Sequence, residues 1–177
     1  MKANHSIKIV IRPEVPEDYD AIRLVNQQAF NGMAEANLVE LLRARGKAIV
    51  SLVALLEHQI VGHILFSPAS IEPPCQGIQI AGLAPMAVLP RYQNRGIGTK
   101  LVDFGLQACR ERHYDIVVVL GHPNFYLRFG FQRASALGID NEYGADEAFM
   151  VMELRPDVLV QVSGLVRYAL EFLEAGC

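Results

Sequence analysis

Cysteine is too scarce and too scattered in this chain to staple or ligate anything. Cys75, Cys109 and Cys177 are odd in number and lack metal-ligand spacing. They predict no disulfide framework and so point to a reducing compartment, the cytoplasm. The five histidines form no H-x-x-x-H pair, so no metal site is expected. Long apolar runs are missing too. None reaches transmembrane length, and Met1-Lys2-Ala3-Asn4-His5 offers no signal-peptide core, so no membrane partner is expected. An excess of basic charge is also absent, and the net charge of −3 argues against nucleic acid as a partner. What the chain does have is 51% apolar residues over 177 positions, which suits one globular domain with a sizeable core.

One local absence is the most informative. No Asp or Glu occurs from Pro73 through Val102, and this acid-free stretch holds Leu89-Pro90-Arg91-Tyr92-Gln93-Asn94-Arg95-Gly96-Ile97-Gly98-Thr99-Lys100. The segment lies between an apolar strand-like run, Ala81 to Val88, and a run with helical period. Gly96 and Gly98 let a ligand approach the backbone, and a helix start presents unpartnered N–H groups at the positive end of its dipole. Arg91, Arg95 and Lys100 add cations, so the segment reads as a phosphate cradle. A dinucleotide fingerprint is excluded because its third glycine position is Leu101, and a P-loop because no glycine stands at the required upstream position. What remains is Gln93-x-x-Gly96-x-Gly98; an ordinary glycine-containing loop fits these six residues equally well.

The periodicity predicts a strand over Lys8 to Arg12, a helix beginning near Pro16-Glu17-Asp18 with Ile22, Val25, Ala29 and Phe30 on one side, and a second helix from Ala34 to Arg45. A hairpin is expected from Ala48 to Leu56 and Ile60 to Phe66, then a polar loop from Pro68 to Gln76. The cradle helix has Ile97, Leu101, Phe104 and Ala108 as its expected buried stripe. Ile116 to Leu120, apolar throughout, suits a strand buried on both faces in a parallel βαβ unit. Ala148 to Leu154 is a further strand candidate, and Leu159 to Leu173 reads as a terminal helix.

After the buried strand comes Tyr126-x-x-x-Gly130-Phe131. Together with the glycine loop, in this order and spacing, it resembles the GCN5-related N-acetyltransferase (GNAT) family. Leu83-Ala84-Pro85-Met86-Ala87-Val88, Val119-Leu120-Gly121-His122-Pro123 and Phe129-Gly130-Phe131 look like its bacterial YhbS-type branch. The resemblance implies an α/β (α+β) fold. Its mixed, mostly antiparallel sheet would splay between two central parallel strands, with helices on both faces. Residues 1–177 would form one acyl-CoA N-acyltransferase domain, with a core of about 7–154 and a C-terminal helical extension, 155–177. The cofactor implied is acetyl-CoA, a co-substrate. Its pantetheine arm would pair with Met86, Ala87 and Val88, and its pyrophosphate would sit on Gln93, Asn94, Arg95, Gly96, Ile97 and Gly98, with the Thr99 hydroxyl in reach.

The implied reaction is direct acetyl transfer to a primary amine, preferably of a small molecule. Tyr126 occupies the family's general-acid position; the bland alternative is that it only packs between Phe125 and Phe129 with its hydroxyl bonded to backbone. The base is less clear. The strand ending at Val88 has no carboxylate, and Glu72 is expected in a loop before it. Glu35 and Glu40 would line the acceptor side, with Glu35 taken as the catalytic candidate and Glu40 the more ordinary surface acid. His122 is a further titratable candidate, while His63 reads as a hydrogen-bonded core histidine. Asn124 is read as a helix N-cap, and Cys75 and Cys109 as structural. A non-catalytic acyl-CoA sensor and a protein N-acetyltransferase stand as alternatives. The family also suggests a homodimer, with Leu159, Val160, Leu165, Val166 and Leu170 available to cover the sheet or a partner subunit.

Overall fold

The computed structural model describes residues 8–177; the expectations placed on Met1 to Ile7 lie outside the described residues. The elements in chain order begin with β1 (Ile9–Pro13), α1 (Tyr19–Phe30) after a 3₁₀ turn at Pro16–Asp18, and α2 (Ala34–Ala44). They continue with β2 (Val50–Leu56), β3 (Gln59–Glu72), β4 (Ile80–Val88), α3 (Ile97–Glu111) and β5 (Ile116–Leu120). The last part holds α4 (Pro123–Tyr126), β6 (Gln132–Arg133), β7 (Ile139–Asn141), β8 (Phe149–Glu153), β9 (Gly164–Arg167) and α5 (Glu171–Ala175). The expected α/β architecture is present. The sheet order is β1-β2-β3-β4-β5-β8-β6, antiparallel except for β4 beside β5, and a side arm pairs β9 with the far end of β3 and with β7.

Strand alternation sorts the core into two layers. Leu52 and Ala54 of β2 and Val117 and Val119 of β5 pack with Ile97 and Leu101 of α3. Val53, Ile116 and Val118 pack instead with Ile22, Leu38 and Leu42 of α1 and α2. Leu101 is fully buried, and removing such a side chain from water contributes about 1.5–3 kcal/mol. The buried face of α3 is rotated from the expected one. Phe104 is exposed, and Gly105 faces the sheet instead. The Phe66 ring is the cause: a Cβ at Gly105 would stand 2.4 Å from Phe66 Cε2.

Two loop and helix expectations need correction. β3 runs on through Pro68 to Glu72, so the Pro68–Gln76 stretch is half strand, and Glu72 ends a strand beside Arg167 rather than lying in a loop. Proline is tolerated there because β2 has ended opposite Phe66 and β9 begins only opposite Ser70, so no ladder needs its missing N–H. The Leu159–Leu173 helix is likewise not formed. A 3₁₀ turn (Leu159–Gln161), β9 and then α5 replace it, so the extension from 155 is helical only over Glu171–Ala175. Apolar residues three and four apart mimicked a helical stripe, but Val166 is buried as a strand residue against the sheet.

The feature that positions the site is the parting of β4 from β5. Their parallel pairing runs from Ile80↔Ile116 to Leu83↔Val119 and then stops. On the other edge of β4, Phe66 pairs with Leu83 and Ile64 with Met86, a bulge that contains Pro85. A bulge bends its strand, and proline cannot donate to a ladder. Beyond the bulge β4 stays paired with β3 but has a free edge on the β5 side.

Candidate active site

The free edge of β4 borders a cleft of about 890 Å³ that also receives α3's N-terminus, the β5–α4 turn and the C-terminal segment. The amide of Leu89 donates to the Val61 carbonyl, which fixes the alternation of β4. The backbone groups of Met86 and Val88 therefore face away from β3, into the cleft. The Val88 carbonyl already accepts a bond from the Gln93 side chain at 3.0 Å, which closes the cradle against the strand.

The cradle itself is a run of unused donors. Gln93 N–H bonds the Pro90 carbonyl and Lys100 N–H the Gly96 carbonyl, but none of the amides from Asn94 to Thr99 has a hydrogen-bond acceptor among the described residues. Gly96 holds φ +78°, the left-handed region that favours glycine, and Asn94 joins it at +60°. Gly98 serves a different end: a side chain there would project between Phe125 and Met86, into the cleft. Arg91 and Arg95 stack over the Tyr92 ring at 4.9 and 5.6 Å, and Tyr92 is anchored through its hydroxyl to Gln59. The first turn of α3 contains no acid. Anion binding is the chemistry such a helix start supports.

Tyr126 closes the opposite wall. It follows the proline-started turn His122-Pro123, and its ring is wedged among Phe125 at 5.0 Å, Phe131 at 5.5 Å and Phe129 at 6.5 Å. Gly121 makes that placement possible, since a Cβ there would stand 2.4 Å from Tyr126 Cε2. Burial pushes the phenol's pKa upward, so the group keeps its proton at neutral pH. Its hydroxyl has no hydrogen-bond partner among the described residues, and the side chain lines the cleft.

Of the residues singled out from sequence, Met86, Ala87, Val88, Gln93, Asn94, Gly96, Ile97, Gly98, Thr99, Tyr126 and Glu35 line this one cleft, together with His122. Arg95 does not; it is occupied above Tyr92. Glu40 is not on the acceptor side either, because Arg23 holds it at 2.6 Å on the outer face of α2. Asn124 is not a cap: His122 precedes α4, and Asn124 lies within its single turn. His63 is a buried core histidine as expected, bonded to Asn26 at 3.2 Å and Ser51 at 2.9 Å. Cys109 is buried, and burial pushes its thiol up to about 12.

Sequence reasoning missed the third wall. Phe30, Tyr143, Tyr168, Phe172 and Cys177 also line the cleft. Tyr168 packs directly on β4, where Gly82 leaves room for its ring: a Cβ there would approach Tyr168 Cε1 to 2.6 Å. No local signal marks these residues. The pairing of β9 with β3 brings Tyr168 and the segment after it in from the far end of the chain, to meet Phe30 at the end of α1. Among the described residues no helix is long and apolar enough to cross a membrane, and no cluster of His, Cys, Asp and Glu could hold a metal ion.

This geometry has close parallels. A family profile described as an acetyltransferase (GNAT) domain matches residues 47–133. The uncharacterized N-acetyltransferase YhbS of Escherichia coli K12 is 38% identical over 162 residues, covering 90% of this chain and 96% of that protein. The crystal structure of YhbS from Escherichia coli in complex with CoA superposes with a TM-score of 0.90 at 34% identity, over 98% of this chain and 96% of that one. A GNAT family acetyltransferase from Brucella melitensis, in complex with acetyl-CoA, gives a TM-score of 0.77 at 35% identity, over 93% and 98% of the two chains. At 38% identity over 90% of its length, and with a superposition over nearly the whole chain, the chain belongs to the GNAT family of acetyltransferases.

Proposed function

We propose that this protein transfers an acetyl group from acetyl-CoA to the primary amine of a small molecule, directly, while both substrates are bound. The observation that carries this reading is the convergence on one cleft of six unused cradle amides, the free edge of β4 and the unpartnered Tyr126 phenol. The pyrophosphate belongs on the amides of Asn94 to Thr99, with Gln93 closing the loop against Val88. The pantetheine arm extends the sheet along Met86, Ala87 and Val88, where β5 has parted from β4. Because the same 890 Å³ must take that arm and the acceptor, the acceptor is small.

The bond changes assign the remaining roles. The amine nitrogen forms the new C–N bond as the C–S bond breaks, and the N–H of Val88 is available to the carbonyl oxygen while negative charge develops on it. The departing thiolate takes the proton of Tyr126, whose burial keeps it protonated until then. Glu35, in the first turn of α2 and without a salt-bridge partner among the described residues, receives the proton lost by the amine. Dimerisation through the exposed Val160, Leu170 and Leu173 belongs to the same reading and is checked by light scattering.

Isothermal titration with acetyl-CoA tests the donor site. Wild type binds, and Gly96→Glu, which places a carboxylate in the cradle, abolishes binding. Thiol release with amines then separates the transferase from a second reading, a non-catalytic acyl-CoA sensor, which the absence of a carboxylate on β4 favours. Tyr126→Phe with undiminished turnover removes the general-acid role.

A further inference from the structure

The acceptor end of the cleft has a composition that selects among amines. Its walls are Phe30 from α1, Leu38 from α2, and Tyr143, Tyr168 and Phe172 from the C-terminal segment. The last three form one aromatic stack, with Tyr143 and Tyr168 ring centroids 5.8 Å apart and Tyr168 and Phe172 4.8 Å apart. Among the described residues Glu35 is the sole acidic side chain that lines the cleft, and Arg128 the sole arginine or lysine. Arg128 is on the donor side, where its guanidinium lies over Phe125 at 4.7 Å and Phe129 at 5.8 Å.

Among the described residues Glu35 is the one carboxylate side chain that is shielded from solvent and yet bonded to nothing. The chain's other carboxylates near basic side chains are engaged: Glu14 by Arg43, Asp18 by Arg12, Glu40 by Arg23, Glu171 by Lys47 and Asp115 by Arg155. Glu35, half-buried in an aromatic cleft, has neither an ion-pair partner nor a side-chain hydrogen bond among the described residues. Tyr168 repeats the pattern. Its hydroxyl is fully buried and has no hydrogen-bond partner among the described residues, although it lies near the backbone of Leu120 and the phenols of Tyr126 and Tyr143. A buried hydroxyl left without a partner is destabilising, and a bound molecule that bonds it recovers the loss.

Resting on the transferase reading, we infer that the acceptor is a primary amine on an apolar or aromatic body that carries no acidic group. Its ammonium is received by Glu35, its body lies in the Phe30–Tyr143–Tyr168–Phe172 pocket, and the Tyr168 hydroxyl supplies the hydrogen bond at the pocket floor. An amino acid is disfavoured because no free cation stands there for its carboxylate. A polyamine is disfavoured because a single carboxylate meets only one of its charges, and an amino sugar because the walls are apolar.

The test is binding of amines to the CoA-loaded full chain by isothermal titration, with turnover followed separately by thiol release. Phenethylamine is expected to bind at least tenfold more tightly than phenylalanine, spermidine or glucosamine. Glu35→Gln is expected to weaken phenethylamine at least tenfold, and Tyr168→Phe several-fold, while acetyl-CoA affinity stays unchanged in both. Equal binding of phenylalanine or glucosamine overturns the inference, and so does full phenethylamine affinity in Glu35→Gln. If phenethylamine binds with this selectivity but no acetyl group moves, the transferase reading fails while the assignment of the pocket stands.

Discussion

Gly121→Ala is the sharpest probe of the Tyr126 assignment because it adds one methyl group, aimed at the phenol ring. The new Cβ would stand 2.4 Å from Tyr126 Cε2, whereas ordinary carbon contacts begin near 3.4 Å, so the ring or the turn must yield by about 1 Å. The ring cannot retreat freely, since Phe125 meets it edge-on at 5.0 Å and Phe131 at 5.5 Å on its other flank. Overpacking of this kind costs about 1–3 kcal/mol of stability, to be read in a denaturant titration. A displacement of about 1 Å at a catalytic group lowers the rate on the order of 100-fold, to be read as kcat in a thiol-release assay. Acetyl-CoA affinity is expected to hold, because the cradle amides lie on α3 and its preceding loop rather than on the β5–α4 turn. Wild-type kcat in a variant whose stability has fallen would refute the reasoning: the ring would then have moved without consequence, and Tyr126 would be packing alone.

Other expectations follow from the core and its titrating groups. Burial lowers the pKa of His63 from its ordinary 6.5, against the opposing pull of Glu14, so the folded chain resists a proton that the unfolded chain takes. Stability from this site is therefore present above pH 6.5 and is lost as pH falls below it, by up to about 1.4 kcal/mol per pH unit. Thermal melts at pH 7, 6 and 5 should show this slope, and His63→Gln should flatten it. Glu14 titrates lower down: burial would raise its pKa, but bonds from Arg43 and Ser51, with the His63 ring 3.8 Å away, outweigh it and hold the carboxyl well below its usual 4.5. Its contribution is present above that pH and disappears on further acidification, so Glu14→Gln should remove part of the acid unfolding transition. Leu101→Ala, at a fully buried position on α3, should cost about 2–5 kcal/mol in urea denaturation. Native protein should resist iodoacetamide at Cys109 and react faster at Cys75 than at Cys177, whose thiol is pushed up to about 11 by burial and by Glu35, as peptide mass mapping would show.

The donor half of the site was legible in sequence because it is local. Gln93 to Thr99 forms one loop and helix start, Met86 to Val88 adjoins it, and Tyr126 closes a turn directly after β5, so short motifs and the family resemblance they carry reached all three. The acceptor half was not. Glu35 could be placed only as a helix-face acid, and nothing near Tyr143, Tyr168 or Cys177 in the chain hints that they meet Phe30 and Leu38 across a cleft. Glycines that make room for a distant ring carry no local signal. Gly105 answers Phe66 and Gly82 answers Tyr168, and neither partner is near its glycine in sequence. The Leu159–Leu173 stretch failed for a related reason: its strand exists because residues 70–72 of β3 offer a ladder, which no local propensity encodes.

The antiparallel zipping of β9 onto the end of β3 joins positions almost a hundred residues apart, and Arg45 reaches Glu171 and Glu174 across a still longer loop of chain. Contacts so distant in sequence slow folding, because a long loop must close before the pairing rewards it. Residues 83–99 and 120–128 supply one share of the cleft's lining, and residues 143–177 another. On the proposed reading, substitutions after residue 140 retune which amine is admitted while the segment proposed to hold the coenzyme keeps its sequence.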